Sequence, residues 1–436
     1  MIGLTRVREI LRSQLAQNIL TNYAATLWLG GLSILLIPVY LRLLGATQWG
    51  VVAICMVIQG VLTLLDAGLG QVMLRDVARS AQKTEDVALV FRIFARAYWL
   101  LGSVGFVLGQ LAVPWLTETW FNQGQGVPEG ADIALRLVLV QFLFQFANSA
   151  HGGYWNGVQA QKLANARQCG FATAKHAGAL ALIVVWQPVA IAYLASFAIV
   201  SIIECGVNLM TIRLALKGVP GVRLTRGHFA KLAKETSVLA VGVLIGMSVS
   251  QIDRVVLSRL VSVEAYGHYA IVASLGLAFL QLQYPLMRAF FPRVVHEDAM
   301  GRSSSFRKLG AGILVLCVLP CLAVALAAPW VLALWLQDAQ VASDGVAPLR
   351  LILGAVAINA VYHLLYQRIL ARGHGRTIVL INSAALLVTV PATILAAGVY
   401  GIVAGGIAWL VSASVQLTLG LVWLRRETKV RPLTAA

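Results

Sequence analysis

Polar side chains recur at helical spacing inside the long apolar stretches of this sequence. Residues 131–156 carry a stripe of Gln141, Gln145, Asn148, Gly152 and Asn156, in which the first three side chains are separated by steps of four and three residues. This spacing places the three side chains on one face of an α-helix. Because unpaired polar groups are costly in lipid, we predict that this face lines a water-filled cavity between helical bundles. Hydrogen bonding that holds neighbouring helices together is the alternative.

Three further stretches show the same pattern, and one of them ends in an arginine. The stripes lie in residues 50–74 (Gln59, Thr63, Asp66, Gly70), 265–291 (Gln281, Tyr284, Arg288) and 346–371 (Asn359, His363, Tyr366, Gln367). Arg288 shares its helix face with Gln281 and Tyr284, and all three are candidates for lining the cavity. His363 is a further candidate for lining the cavity.

Other charged residues stand in or beside the apolar stretches. The other basic candidates are Arg75, Arg136, Lys175 and Arg254. The carboxylates are Asp66, Glu204 and Asp253. We expect Asp253 to be paired across a helix interface.

Two interpretations of Asp66 remain open. Gly68 and Gly70 permit close approach of helices, so its carboxylate is expected to bond to the preceding span, where Asn22 lies at a similar depth. Alternatively, a carboxylate that is alternately buried and hydrated couples transport to a proton or another cation. Glu204 is the second candidate for such coupling.

The elements that hold these residues are apolar stretches of membrane-spanning length. Of the 436 residues, 59% are hydrophobic and 12% are charged, and the mean hydropathy is +0.81. A helix of about 20 apolar residues crosses a bilayer, so the sequence predicts an all-α polytopic membrane protein with about twelve transmembrane helices. The predicted spans are 17–41, 50–74, 93–114, 131–156, 166–186, 189–212, 235–258, 265–291, 309–335, 346–371, 376–396 and 401–424.

Lysine and arginine are concentrated in alternate loops, which indicates the orientation of the chain. Basic loops tend to stay in the cytoplasm, so both termini are predicted to be cytoplasmic. The net charge of +17 follows mainly from these loops, and no nucleic-acid partner is expected. Arg42 and Arg259 alone stand in outer loops, where we interpret them as snorkelling to the interface.

The sequence contains an internal repeat. YLRLLGATQWG at residues 40–50 matches LSRLVSVEAYG at residues 257–267, each after an odd-numbered span. The repeat predicts two six-helix bundles of parallel topology. The predicted domains are 1–214 and 235–436, joined by a basic cytoplasmic linker at 215–234.

Several functional classes are not expected. The five cysteines all lie in apolar spans and are interpreted as small core residues, and no metal site or cofactor is predicted. No nucleotide-binding, hydrolase or metalloprotease motif occurs in the sequence. A membrane glycosyltransferase or polymerase would be expected to have a large outer loop with carboxylates. Enzymatic activity is therefore not predicted.

Residues 18–79 resemble the opening of the Wzx-type polysaccharide flippases of the MATE/MOP superfamily. The resemblance is carried by Asn22, by Pro38 and the Arg42-x-x-Gly45-x-x-x-x-Gly50 turn, and by Asp66-x-Gly68-Leu69 followed by Arg75 and Ala78. In the second copy Ser262 stands in place of Gly45 and Gln283 in place of Asp66. Asp66 therefore has no counterpart in the repeat.

The resemblance implies an alternating-access transporter of the bacterial inner membrane. It would move an undecaprenyl-diphosphate-linked oligosaccharide from the cytoplasmic to the periplasmic leaflet, with membrane lipids, a polysaccharide polymerase and a chain-length regulator as partners. Arg288 is then the first candidate for binding the diphosphate, because the guanidinium group matches the geometry of phosphate. The other basic candidates named above would be further partners of the diphosphate or of acidic sugars. Tyr284, Tyr362 and Tyr366 are then candidates for stacking on sugar rings. A cation-coupled multidrug antiporter and a lipid II flippase remain alternatives, although lipid II flippases usually have two extra helices. A drug antiporter would favour carboxylates in its cavity, whereas basic residues outnumber them here.

Overall fold

The structure is a computed structural model. It describes residues 14–66, 68–80, 83–121, 126–220, 225–284, 286–287, 290, 294 and 304–430, with side chains from residue 21 onward apart from several near 235 and at 428–430. Arg288 lies outside the described residues. Within the described part the chain is helical and contains no β-strand, which confirms the predicted all-α class.

The helices follow one another with short turns. They are α1 (Gln14–Leu62), α2 (Leu69–Ser80), α3 (Thr84–Leu116), α4 (Ala131–Gly157), α5 (Gln161–Val185), α6 (Ala190–Ala215), α7 (Arg226–Val249), α8 (Ile252–Leu260), α9 (Val263–Ala278), α10 (Ser304–Ile313), α11 (Leu319–Leu326), α12 (Ala328–Leu336), α13 (Ala339–Ala371), α14 (Gly375–Tyr400) and α15 (Val403–Val430).

The chain divides into two compact units, unit 1 (Met1–Val243) and unit 2 (Leu244–Ala436). The division falls within α7, after the predicted linker at 215–234.

Helix α1 contains two spans that meet at Gly45. Gly45 has φ 75° and ψ 168°, a conformation that favours glycine. The rings of Tyr40 and Trp49 stack with their centroids 5.9 Å apart. On a straight helix these residues would be separated by about 13.5 Å along the axis and would point in opposite directions. The chain therefore folds back at Gly45, as the predicted spans 17–41 and 50–74 require.

The number of spans agrees with the sequence. The described residues hold ten helical segments long and apolar enough to cross a membrane. The first, Thr21–Asp66, is about 69 Å long at 1.5 Å per residue, enough for two crossings of a ~30 Å core. The pair Ala240–Val249 and Ile252–Leu260 forms one further span with a 49° bend. Counting α1 as two spans then accounts for the twelve predicted.

The second span is interrupted at Asp66, where the sequence predicted a continuous helix to residue 74. A 3-10 turn over Thr63–Asp66 ends α1, and Gly68 at φ 87° precedes α2. Unit 2 has a 3-10 turn over Phe279–Leu282, at almost the equivalent position of the repeat. Both copies of the repeat thus have a 3-10 turn at almost the same position.

The repeated turn has matching burial in the two units. Trp49 and Tyr266 are buried, whereas Arg42 and Arg259 are exposed. At the position of Gly45, Ser262 caps α9 by accepting a hydrogen bond from the backbone amide of Ala265 at 3.2 Å. The second copy therefore ends the helix outright where the first bends it.

Helix α2 packs closely on the C-terminal end of α4 in unit 1. Its buried residues include Val72, Met73 and Val77. A Cβ atom at Gly157 of α4 would lie 2.4 Å from a methyl group of Val77. Only glycine permits this approach, which brings the C-terminal end of α4 close to α2.

Candidate functional site

Unit 1 contains an open polar cavity of about 470 Å³ between α1, α4, α5 and α6. This volume is within the range of small-molecule binding sites. The cavity is lined by residues of unit 1: Leu29, Ser33, Gln141, Gln145, Asn148, Ser149, Gly152, Trp155, Asn156, Ala164, Asn165, Arg167, Gln168, Ala172, Lys175, His176, Phe197, Glu204 and Asn208.

The polar stripe of α4 faces this cavity. Gln141, Gln145 and Asn148 all line it. Gln145 Oε1 accepts hydrogen bonds from Gln59 Nε2 at 3.0 Å and from Gln141 Nε2 at 3.3 Å. The stripe therefore lines a cavity within unit 1 and also joins neighbouring helices by hydrogen bonds. The predicted cavity between the two bundles stays a prediction.

Lys175 and Glu204 form an ion pair in the cavity wall. Lys175 Nζ lies 2.8 Å from Glu204 Oε2, and the two side chains are 11% and 12% exposed. Asn148 Nδ2 donates to the other carboxylate oxygen, Oε1, at 3.1 Å. The structure thus brings together three predicted site residues from α4, α5 and α6. Because the ammonium group is already neutralised, Lys175 is not a free cation for a ligand.

A chain of hydrogen bonds extends from Glu204 toward the turn between α4 and α5. Asn208 Nδ2 donates to Asn148 Oδ1 at 2.9 Å, and Arg167 Nη1 donates to Asn208 Oδ1 at 3.1 Å. His151 Nδ1 lies 2.8 Å from the same Asn148 oxygen. Since that oxygen only accepts, His151 Nδ1 carries a proton. From the Arg167 guanidinium through Asn208 and Asn148 to the Glu204 carboxylate, each residue donates a hydrogen bond to the next. Neighbouring bonds in such a chain strengthen one another.

Arg167 is a charged cavity residue that the sequence analysis did not single out as a binding candidate. Its Nη2 donates to Thr211 Oγ1 at 3.1 Å, and its guanidinium carbon lies 5.2 Å from the centroid of Trp155. Within the described residues no carboxylate pairs with it. It escaped sequence analysis because a basic residue at the end of a span was counted as an orientation signal.

Asp66 bonds to a different helix from the one expected. Its Oδ1 accepts hydrogen bonds from the hydroxyl of Tyr98 in α3 and, at 3.2 Å, from the amide of Gly70. Asn22 instead contacts α5, through Gln161 and Asn165. The predicted bond between Asp66 and the first span is therefore wrong, because the break in the second span turns the carboxylate toward α3. A Cβ atom at Gly70 would lie 3.3 Å from the Tyr98 hydroxyl, so the expected close approach is to Tyr98.

Two predicted cations lie away from the cavity lining. Arg136 is exposed, and its Nη1 donates to Gln110 Oε1 of α3 at 3.0 Å. Arg75 is on α2, where its Nε lies 2.9 Å from Asp76 Oδ1. Neither residue belongs to the set that lines the cavity of unit 1.

Unit 2 has a chain of amides where unit 1 has charged groups. Gln283 donates to Asn359 at 3.3 Å, Asn359 to Gln416 at 3.4 Å, and Gln416 to Asn382 at 2.9 Å. Gln283, which replaces Asp66 in the repeat, is buried. These four residues join the turn after α9 to α13, α14 and α15 through uncharged side chains.

The remaining candidates of unit 2 are not members of this amide chain. Gln281 and Tyr284 are exposed, and the ring of Tyr284 lies 6.4 Å from that of His363. Asp253 is buried and accepts a hydrogen bond from Tyr269, while the adjacent Arg254 is half-buried. The expected pairing of Asp253 is thus made within unit 2, with a tyrosine rather than with a cation.

The helices describe a polytopic membrane fold, and solved structures share it. The lipid II flippase MurJ in an inward closed conformation has a TM-score of 0.74 at 10% identity, covering 94% of this chain and 87% of the other. The multidrug transporter DinF-BH of the MATE family has a TM-score of 0.67 at 15% identity, covering 96% of both chains. A MOP superfamily transporter from Pyrococcus furiosus has a TM-score of 0.60 at 16% identity, covering 97% of this chain and 98% of the other.

The sequence identifies the family. Residues 15–297 match the polysaccharide biosynthesis protein family, so the chain belongs to that family. No curated protein sequence matches the chain significantly. The structural neighbours named above are described as a flippase and as transporters. The chain is therefore a multi-pass membrane protein of polysaccharide biosynthesis with a MATE/MOP transporter fold.

Proposed function

We propose that the protein is a flippase that moves an undecaprenyl-diphosphate-linked oligosaccharide from the cytoplasmic to the periplasmic leaflet. The observation that carries this proposal is the lining of the cavity in unit 1. Seven of its residues are amides: Gln141, Gln145, Asn148, Asn156, Asn165, Gln168 and Asn208. Amide groups donate and accept hydrogen bonds, which matches the hydroxyl groups of a glycan.

The charge of the lining supports a neutral or anionic ligand. The lining contains two cations, Arg167 and Lys175, and one carboxylate, Glu204, which already pairs with Lys175. The cavity lining therefore has a net charge of +1 when His176 is neutral. A diphosphate-linked sugar fits this balance, with the hydrophobic polyprenyl chain remaining in the bilayer.

The same charge balance argues against the alternative of a multidrug antiporter that exports cations. Such a cavity needs an unpaired carboxylate for the cation, whereas Glu204 is neutralised by a resident ammonium group. The lipid II flippase remains a related alternative, because MurJ, which is described as a lipid II flippase, shares the fold. Its substrate would satisfy the same amides.

The proposed setting is the bacterial inner membrane with both termini in the cytoplasm. A polysaccharide polymerase and a chain-length regulator would use the flipped product on the outer side. Alternating access requires the two units to move relative to each other, with Asp66 or Glu204 as candidates for coupling to a cation. Asp66 bonds to Tyr98, whereas Glu204 pairs with Lys175. Asp66→Asn and Glu204→Gln, made singly, therefore test the two candidates for coupling separately.

The proposal is tested by filling the cavity. Gly152 lines the cavity, and a Cβ atom there meets nothing within 4 Å. Gly152→Phe therefore occupies the cavity without a clash in the wall, and should abolish surface-glycan export in a flippase-deleted strain. Lipid-linked oligosaccharide should accumulate in the cytoplasmic leaflet.

Gly170→Phe is the matched control. Gly170 is equally open but exposed and outside the lining, so this variant should export normally at the same membrane level. If Gly152→Phe also exports normally, the cavity of unit 1 is not the route of the glycan. Failure of the wild-type protein to restore export would contradict the flippase proposal itself.

A further inference from the structure

Arg167 has the environment of an anion-binding residue. Two of the five N–H donors of its guanidinium bond to neutral oxygens, those of Asn208 and Thr211. Its third described contact is the ring of Trp155. Within the described part of unit 1 it is therefore held in place without being neutralised by a carboxylate.

The other cation of the cavity differs in this respect. Lys175 is only 9% exposed and contacts the carboxylate of Glu204 directly. An anionic ligand that took Lys175 would have to break this pair and leave Glu204 unpaired. Arg167 can bind an anion while keeping its present partners, so it is the less costly site.

The two charged positions are separated along the cavity. Arg167 and Lys175 lie on the same helix, eight residues or about 12 Å apart. Arg167 is about 9 Å from the first residue of α5, near the turn that connects α4 to α5. Trp155, Asn156 and Asn165 line the cavity at this end, whereas His176 and Phe197 line the opposite end. The cationic group thus lies at the end of the cavity nearest the turn between α4 and α5.

We infer that Arg167 binds the lipid-proximal phosphate of the substrate, while the glycan extends along the amide-lined cavity toward Gln141. The inference rests on the proposed function, in which the α4–α5 turn is cytoplasmic. A phosphate of a lipid in the cytoplasmic leaflet lies at the depth of Arg167, and its sugars reach toward the membrane centre. The contacts to Asn208, Thr211 and Trp155 fix the guanidinium, so little side-chain entropy is lost on binding.

The experiment measures binding of farnesyl diphosphate to the purified full-length protein in lipid nanodiscs, with farnesol as the uncharged probe. Wild type should bind the diphosphate more tightly than farnesol, by a margin that shrinks as salt is added. Arg167→Ala should weaken diphosphate binding on the order of 10- to 100-fold and leave farnesol binding unchanged. Arg167→Lys should give an intermediate affinity, because the charge remains but the two-pronged geometry is lost.

Lys162→Ala is the matched control. Lys162 lies on the same helix but is exposed and outside the cavity lining, so its loss removes one positive charge without touching the site. Unchanged farnesol binding by Arg167→Ala also shows that this variant is folded. Wild-type diphosphate affinity in Arg167→Ala, or an equal loss in Lys162→Ala, would overturn the inference.

Glycan export separates this inference from the function on which it rests. If wild-type protein restores export and Arg167→Ala binds the diphosphate normally, the flippase proposal stands and the role of Arg167 fails. If wild-type protein does not restore export in the strain, the proposed function fails. Binding of farnesyl diphosphate no tighter than farnesol by the wild type would overturn the inference irrespective of export.

Discussion

Replacing Glu204 by glutamine should destabilise unit 1 by leaving a buried cation without its counterion. The substitution keeps the shape and the bond to Asn148 but removes the charge 2.8 Å from Lys175 Nζ. Breaking a buried ion pair from one side costs about 3–5 kcal/mol. The pair borders a cavity and retains 11% and 12% side-chain exposure, so the lower end, about 3 kcal/mol, applies.

The expected loss can be converted to a melting temperature. For a unit of this size each kcal/mol corresponds to about 2–4 °C, so Glu204→Gln should lower the Tm by about 6–12 °C. The assay is thermal unfolding of the purified protein in detergent with added lipid. Glu85→Gln is the control, because Glu85 is exposed in the first turn of α3 and its replacement should cost less than about 1 kcal/mol.

A double variant tests the cause. Lys175→Met combined with Glu204→Gln removes both charges, so it should be more stable than Glu204→Gln alone. The reasoning is refuted if Glu204→Gln melts within the range of the Glu85→Gln control, or if removing Lys175 as well lowers the Tm further. Either result would mean that the ammonium group does not depend on Glu204.

Three other outcomes are expected. In a cysteine-free background, a cysteine at Gln145 should react with water-soluble thiol reagents, whereas one at Leu111, on the exposed apolar face of α3, should not; inertness of both would leave the α4 stripe as helix-to-helix bonding. Gly157→Ala should lower stability by about 1–3 kcal/mol because its Cβ would lie 2.4 Å from Val77, while Gly170→Ala, with no atom within 4 Å, should not, and equal melting temperatures would contradict this. Accessibility tags near residues 123 and 340 should be outside and those near 220 and 300 inside, and an outside tag near 220 would reverse the proposed orientation.

The membrane spans and the polar face of α4 were predictable because both depend on local patterns. Apolar length determines a span, and a three-to-four residue step determines a face. Gln141, Gln145 and Asn148 were found in this way, and all three line the cavity. The repeat likewise predicted that Trp49 and Tyr266 are equivalent, and both are buried.

The partners of individual side chains were not predictable to the same extent. The bond between Asp66 and Tyr98 depends on the 3-10 turn and on Gly68, which alter the direction of the chain after Thr63. An apolar stretch interrupted for only a few residues still has the composition of a continuous helix. Hydrophobicity therefore locates the span but not its break.

Arg167 illustrates a second reason. A cation near the end of a span satisfies the charge bias of the loops whether it points to water or into a cavity. Only the rotation of α5, which places Arg167 against Asn208 and Trp155, distinguishes the two. That rotation results from packing against α6 and is not encoded in the periodicity of α5 alone.

The turn at Gly45 has a consequence for biogenesis. Because the two spans of α1 are joined without an intervening loop, they cannot enter the bilayer independently of each other. During synthesis they should leave the translocon as one hairpin, carrying Arg42 across at the tip. The orientation taken by this first hairpin then constrains each later span, since the following segments must alternate from it. An additional positive charge at the tip of this hairpin would consequently oppose insertion of the hairpin. Insertion of the whole chain would then be affected before unit 2 has been synthesised.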